Sequence, residues 1–291
     1  MSIAVVTDSG CDLPPGIAEK LGIKIVHLYL VFGNRILRND EISPDEFYRM
    51  LSKSRVQPTT TQPPPEDFLK VCESLIKEGV EEIVLILLSR KLSRTFQSAC
   101  SAVKRIIQEG TECRFKIIDS RGVGMWQGFL AMLAARLAQQ GKGLTEIAKE
   151  VRENISRLHL MAILDTLDYA DLGGRLGKAK SLVAQVATSA LPLKGVLTLK
   201  EGEASRAGSG LVLSPLKINY LAKFVKSFHR IKEIAIEHSM LDERELRRLI
   251  DKINELFRER KETVSILVTK IGPVLGAHTG PGTLAVIVRE E

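Results

Sequence analysis

The chain has 291 residues, 44% of them hydrophobic and 26% charged, with a formal net charge of +7. This composition is globular and long enough for two domains, and it excludes a disordered or fibrous chain. The basic excess does not point to nucleic acid: Lys and Arg alternate with acids, as in Asp242-Glu243-Arg244-Glu245-Leu246-Arg247-Arg248, and one Trp and four Tyr give bases little to stack on.

Ile3-Ala4-Val5-Val6 reads as a buried strand over 3–6 that stops at Thr7-Asp8, far short of the apolar core of a signal sequence. Further strands are expected at 83–88 and 115–118. Helices are expected at 45–52, with Ser43 and Glu46 in capping-box spacing, and at 65–78, 95–108 and 126–140. Strands alternating with helices imply a parallel, helix-covered, doubly wound sheet. From about residue 159 the pattern changes to strands at 160–164, 196–199, 231–237, 264–268 and 284–288, with charged helices at 216–227 and 243–260. A boundary near a helix ending at Leu158 gives two α/β domains, 1–158 and 159–291. No apolar run approaches the roughly 18 residues of a membrane span, so stable membrane insertion is not expected and the cytoplasm is the expected location. Cys11, Cys72, Cys100 and Cys113 form no C-x-x-C pair, which fits buried thiols in a reducing compartment and gives no metal site or cofactor.

In an open α/β sheet, ligands bind beyond the carboxyl ends of the strands. Here those ends carry Thr7-Asp8-Ser9, then Ser89 running on to Ser93 and Thr95, then Asp119-Ser120. Ser93 precedes an expected helix, whose N-terminal amides and dipole favour an anion, although read alone Ser93 or Thr95 is an ordinary N-cap. Pro63 to Pro65 stiffen the hydroxyl-rich segment around Thr60 and Thr61, so it serves equally as a positioned site or as a linker before a helix. His278 and Thr279 lie among Gly276, Gly280 and Gly282, in what reads as a turn before the last strand, and Arg175 follows Gly173-Gly174.

In order along the chain, Val6-Thr7-Asp8-Ser9 with Asp12-Leu13, Thr60-Thr61-Gln62-Pro63, Leu92-Ser93 with Thr95-Phe96-Gln97-Ser98-Ala99, Asp119-Ser120, Gly173-Gly174-Arg175 and His278-Thr279-Gly280-Pro281-Gly282 resemble the DegV family. The resemblance covers essentially the whole chain. It implies a doubly wound parallel-sheet domain plus a second α/β domain with a mixed sheet. It also implies a long-chain fatty acid bound between them, in a non-catalytic carrier that presents the acid to a fatty acid kinase. Thr60, Thr61 and Ser93 would then hydrogen-bond the carboxylate and His278 would support it. Thr7, Asp8, Ser9, Thr95, Asp119, Ser120, Arg175 and Thr279 would stand behind them. Neutral hydroxyls and helix-end amides can satisfy a carboxylate without burying a countercharge.

The chain departs from the family pattern at several positions. Thr61 stands where the family usually has Ser, Pro64 replaces a second Ser, Arg94 replaces a Gly, and Trp126 replaces a small residue in a place where it could reshape a cavity. A basic pair common after the segment matching Gly202-Glu203 is missing, the stretch reading Gly208-Ser209-Gly210-Leu211. Two other functions compete: a serine hydrolase using Ser93, His278 and Asp119, and a binding protein for a small polar or phosphorylated metabolite. The hydrolase lacks the G-x-S-x-G elbow that exposes a nucleophile.

Overall fold

The structure, a computed structural model, describes residues 2–54, 56–172, 174, 180–187, 189 and 191–291. Arg175 and Gly173 lie outside the described residues. Packing divides the chain into two units, residues 1–42 with 58–156, and residues 43–57 with 157–291. Residues 43–57, which the sequence pattern groups with the first domain, belong by their packing to the second.

In chain order the first half contains β1 (Ile3–Asp8), α1 (Pro15–Leu21), β2 (Lys24–Val26), β3 (Tyr29–Phe32), β4 (Arg35–Arg38), α2 (Pro44–Lys53), β5 (Thr59–Thr61), α3 (Pro65–Lys77), β6 (Glu82–Leu87), α4 (Thr95–Gln108), β7 (Arg114–Asp119), α5 (Met125–Gln139) and α6 (Leu144–Ile155). In the first unit, β2, β1, β6 and β7 lie in that order in one sheet, and every pair is parallel. The apolar run of β6 is buried along its whole length, as a central strand covered on both faces requires. Its alternate residues Ile83, Leu85 and Leu87 join Phe68, Cys72, Ala99, Val103 and Ile106 of α3 and α4 in one core cluster. Burying a side chain such as Phe68 contributes about 1.5–3 kcal/mol. With α5 and α6 packing against β1, β6 and β7, the domain is doubly wound as expected. The chain moves outward from β1 to β2 on one side and from β6 to β7 on the other, so the topological switch point falls between β1 and β6. A separate antiparallel sheet has the order β4-β3-β5. Its strands are only three or four residues long; Gly33-Asn34 forms the two-residue turn of the β3-β4 hairpin, a signal the sequence reading passes over.

The second unit adds β8 (Leu158–Leu164), α7 (Asp168–Leu172), α8 (Leu182–Ala187), β9 (Leu193–Lys200), β10 (Glu203–Leu213), α9 (Lys217–Lys226), β11 (Ile231–His238), α10 (Glu243–Arg260), β12 (Ser265–Lys270), α11 (Pro273–Thr279) and β13 (Leu284–Glu290). Six strands form a mixed sheet in the order β10-β9-β8-β13-β11-β12, in which only β11 and β12 are parallel. Helix α10 starts at Asp242, whose carboxylate accepts the Arg244 N–H at 2.7 Å, and buries Leu249, Ile253 and Phe257 at helical spacing. Helix α2 opens with the expected capping box: Ser43 Oγ accepts the Glu46 N–H at 3.3 Å, and Glu46 accepts the Ser43 N–H at 3.0 Å. It is tied within this unit by the Tyr48 hydroxyl on the Ile271 carbonyl and by Lys270 on Asp45 at 2.7 Å.

Two details correct the sequence reading. The helix before the second unit ends at Ile155, and Leu158 already opens β8. His278 and Thr279 lie in the last turn of α11 rather than in a glycine loop, because Pro273 starts a short helix that tolerates Gly276. Among the described residues no helix is long and apolar enough to cross a membrane. All four cysteines are free, Cys100 half-buried and the others buried.

Candidate functional site

The carboxyl ends of β1 and β6 are joined by Asp8. Its side chain is fully buried, with Oδ1 accepting the Gly10 N–H and Oδ2 the Leu88 N–H, both at 2.9 Å. Burial raises its pKa to about 6 against the opposing pull of these two amides and of Gln127. Thr7 is equally committed: its hydroxyl donates to the Ile86 carbonyl at 2.7 Å and accepts from Gln127 Nε2 at 2.9 Å. Ser9 Oγ accepts the Leu28 N–H at 2.9 Å. At the end of β7, the Ser120 hydroxyl donates to the Gly122 carbonyl and accepts the Gly122 N–H, both at 3.2 Å, while Trp126 Nε1 donates to the Ser120 carbonyl at 3.0 Å. Trp126 is therefore fixed inside the first unit, its ring occupying the space beside Gly122. These hydroxyls are hydrogen-bonded within the sheet end. Gln127 belongs with them and was not singled out from the sequence; the signal was a lone amide in the apolar run Met125-Trp126-Gln127-Gly128-Phe129-Leu130.

Ser93 differs. It precedes α4 and is only half-buried, whereas Thr95 is fully buried. Its Oγ accepts the Thr95 N–H at 3.2 Å and lies 2.8 Å from Thr95 Oγ1. When Thr95 is the donor of that second bond, Ser93 Oγ accepts twice and its own proton is free to point outward. The cap and the ligand contact, alternatives in the sequence, are thus compatible in one hydroxyl. The first turn of α4 adds amides without intrahelical partners and the positive end of a helix dipole. Arg94 is exposed beside it.

Thr60 and Thr61 lie on β5, where Thr60 pairs with Leu30 and Thr61 with Tyr29 of β3. Adjacent residues of a strand point to opposite faces. Thr60 therefore shares a face with buried Leu30, and Thr61 shares one with Tyr29, whose hydroxyl donates to Asp67 at 2.6 Å.

In the second unit, His278 is buried near the end of α11. The turn that follows is laced internally. Thr279 Oγ1 donates to the Leu275 carbonyl at 3.2 Å, Thr283 Oγ1 to the Thr279 carbonyl at 2.8 Å, and Ser239 Oγ to the Gly280 carbonyl at 2.9 Å. Of the triad Ser93, His278 and Asp119, the two members in the first unit have other partners. Ser93 Oγ is engaged with Thr95, and Asp119 accepts from the Arg121 N–H at 2.9 Å and faces Arg90 Nε at 3.4 Å.

A family model described as "Uncharacterised protein, DegV family" matches residues 2–291. A DegV domain-containing protein of Streptomyces coelicolor is 31% identical over 298 residues, covering 98% of this chain and 98% of the relative. Two solved structures match over 100% of both chains. A DegV family protein from Thermus thermophilus, described by its fatty acid binding, has a TM-score of 0.84 at 29% identity; DegV from Bacillus subtilis, described as a fatty acid binding protein, has 0.81 at 26%. The chain belongs to the DegV family.

Proposed function

We propose that this chain is a carrier that binds a long-chain fatty acid and presents its carboxyl group to a fatty acid kinase. The observation that carries the reading is Ser93: a half-buried hydroxyl just before α4 that accepts the Thr95 amide and whose proton is free for an anion when Thr95 donates the hydroxyl bond between them. The similar proteins from T. thermophilus and B. subtilis, each described by fatty acid binding, supply the ligand class. Each CH₂ of the tail that leaves water contributes about 0.8 kcal/mol, so the tail carries affinity and the head group sets orientation. A carboxylate held by hydroxyls and helix-end amides needs no buried countercharge. Thr60 and Thr61, on opposite faces of β5, are proposed as alternative further head-group contacts from the first unit, and His278 as the support that the family resemblance assigns to the second.

Denaturing the purified protein and analysing its extract by mass spectrometry tests the reading. A stoichiometric long-chain fatty acid is expected. An extract without lipid, together with no binding of added fatty acid, would refute it. Ser93→Ala should weaken retention about tenfold, the loss of one hydrogen bond to a charged group. The kinase step has its own test: ATP-dependent phosphorylation of protein-bound fatty acid by a fatty acid kinase. If the kinase turns over free acid equally well without the chain, presentation is excluded while binding stands.

A further inference from the structure

The loop that delivers Ser93 is held amide by amide. The Leu88 N–H goes to Asp8 Oδ2 at 2.9 Å, Ser89 N–H to the Gly122 carbonyl at 2.9 Å, and Arg90 N–H to Asp119 Oδ1 at 3.3 Å. Lys91 N–H goes to Ser89 Oγ at 3.3 Å, and Leu92 and Ser93 N–H both go to the Ser89 carbonyl, at 2.9 and 3.1 Å. Every amide from 88 to 93 thus has an acceptor, and only two of these acceptors are carboxylates. Those two anchors come from the neighbouring strands on either side of β6: Asp8 ends β1 and Asp119 ends β7.

We propose that Asp8 and Asp119 are positioning residues for the fatty-acid head group, fixing the 88–93 loop so that the Ser93 hydroxyl is in place before the ligand arrives. The inference rests on the reading of Ser93 as a head-group contact. A loop fixed in advance spares the ligand the ordering of half a dozen residues on binding. The two carboxylates work differently. Asp8 uses both oxygens, one for Gly10 and one for Leu88, so a side chain with a single acceptor oxygen cannot replace it. Asp119 takes both the Arg90 and Arg121 amides on Oδ1, a contact that an amide oxygen can reproduce. Direct electrostatics predicts the opposite trend, because two acids near a carboxylate repel it and neutralising either would tighten binding.

The test measures binding of palmitate to the delipidated full-length chain at pH 7.5 for Asp8→Asn, Asp119→Asn and Asp119→Ala, below the melting temperature of each variant. Amide hydrogen exchange at Leu92 and Ser93 is followed in parallel. Asp119→Ala and Asp8→Asn should each weaken palmitate binding about tenfold and speed exchange at both amides, whereas Asp119→Asn should stay within about twofold on both readouts. Tighter binding in either Asn variant would overturn the inference in favour of charge repulsion. Unchanged affinity in all three would overturn it with the carrier intact, and failure of the unaltered protein to bind palmitate would overturn it by refuting the carrier reading itself.

Discussion

Two turns share a sequence character, the one after β6 in the first unit and the one before β13 in the second: both are short, hydroxyl-rich and placed where a helix meets a strand. They spend their protons differently. Around the turn between α11 and β13 the hydroxyls of Thr279 and Thr283, and of Ser239 just after β11, all donate to backbone carbonyls in or beside that turn. Between β6 and α4, Ser93 accepts from the backbone and shares a hydroxyl bond with Thr95, and it keeps a donor when Thr95 gives the proton of that bond. On the proposed reading of Ser93, a hydroxyl count does not separate a structural turn from a binding one, whereas the partners of each hydroxyl do.

The largest effect should come from the backbone of the structural turn. Gly280 has φ 73° and ψ −179°, a region essentially reserved for glycine, and a Cβ there would meet the Tyr169 ring. Gly280→Ala should cost about 4 kcal/mol, strain and overpacking together, in urea unfolding. A loss under about 1 kcal/mol would show that this turn is looser than its hydrogen bonds imply.

The binding side of the comparison depends on pH through Asp8. Its pKa is about 6 in the folded chain against an ordinary value of 3.8, so folding favours the protonated form. The stability contribution is fully present below about pH 4 and is lost as pH rises through 6, a change on the order of 3 kcal/mol. Asp8→Asn should remove that slope, so the stability difference between variant and parent should change between pH 4.5 and 7.5. A parallel pair of stability curves would mean that the carboxyl titrates normally in place.

Next in size is Ser239→Ala. The buried hydroxyl donates to Gly280 and accepts the Thr283 amide at 2.9 Å, so its loss strips that amide of its acceptor and leaves the Gly280 carbonyl only the longer bond from the Thr283 hydroxyl, and should cost about 2 kcal/mol. Ser93→Ala removes a half-exposed cap and should cost only about 1 kcal/mol of stability. If the two losses come out equal, the distinction between the turns fails.

The sequence carried some of this contrast and hid the rest. Helices α4 and α10 were legible to the residue, because their apolar spacing runs without interruption and their starts follow Ser93 and Asp242. Helix α11 was not, since its glycines conceal a turn that Pro273 starts. The membership of α2 in the second unit was invisible, because its partners Lys270 and Ile271 lie more than 200 residues away in sequence. Asp8 and Asp119 are visible as acids at strand ends, but which amides they hold is decided by the fold. Above all, β5 is three residues long and carries no strand pattern, so Thr60 and Thr61 read as one hydroxyl pair when the pleat sets them on opposite faces.

That last point yields the finest prediction. If Thr60 and Thr61 face opposite ways, their side chains cannot grip one carboxylate together. Thr61 shares its face with Tyr29, whose hydroxyl is bound to Asp67, and that bond pushes the phenol pKa up to about 12. A second carboxylate beside Asp67 would be repelled, whereas the face of Thr60 and Leu30 carries no acid on β3. Thr60→Val should therefore weaken fatty-acid binding about fivefold, and Thr61→Val should leave it within about twofold, each replacement removing only the hydroxyl. The reverse order would move the head group to the Tyr29 face, and equal losses would mean that the strand alternation breaks at β5 when ligand binds. Titration calorimetry on the two variants beside the parent protein distinguishes these three outcomes.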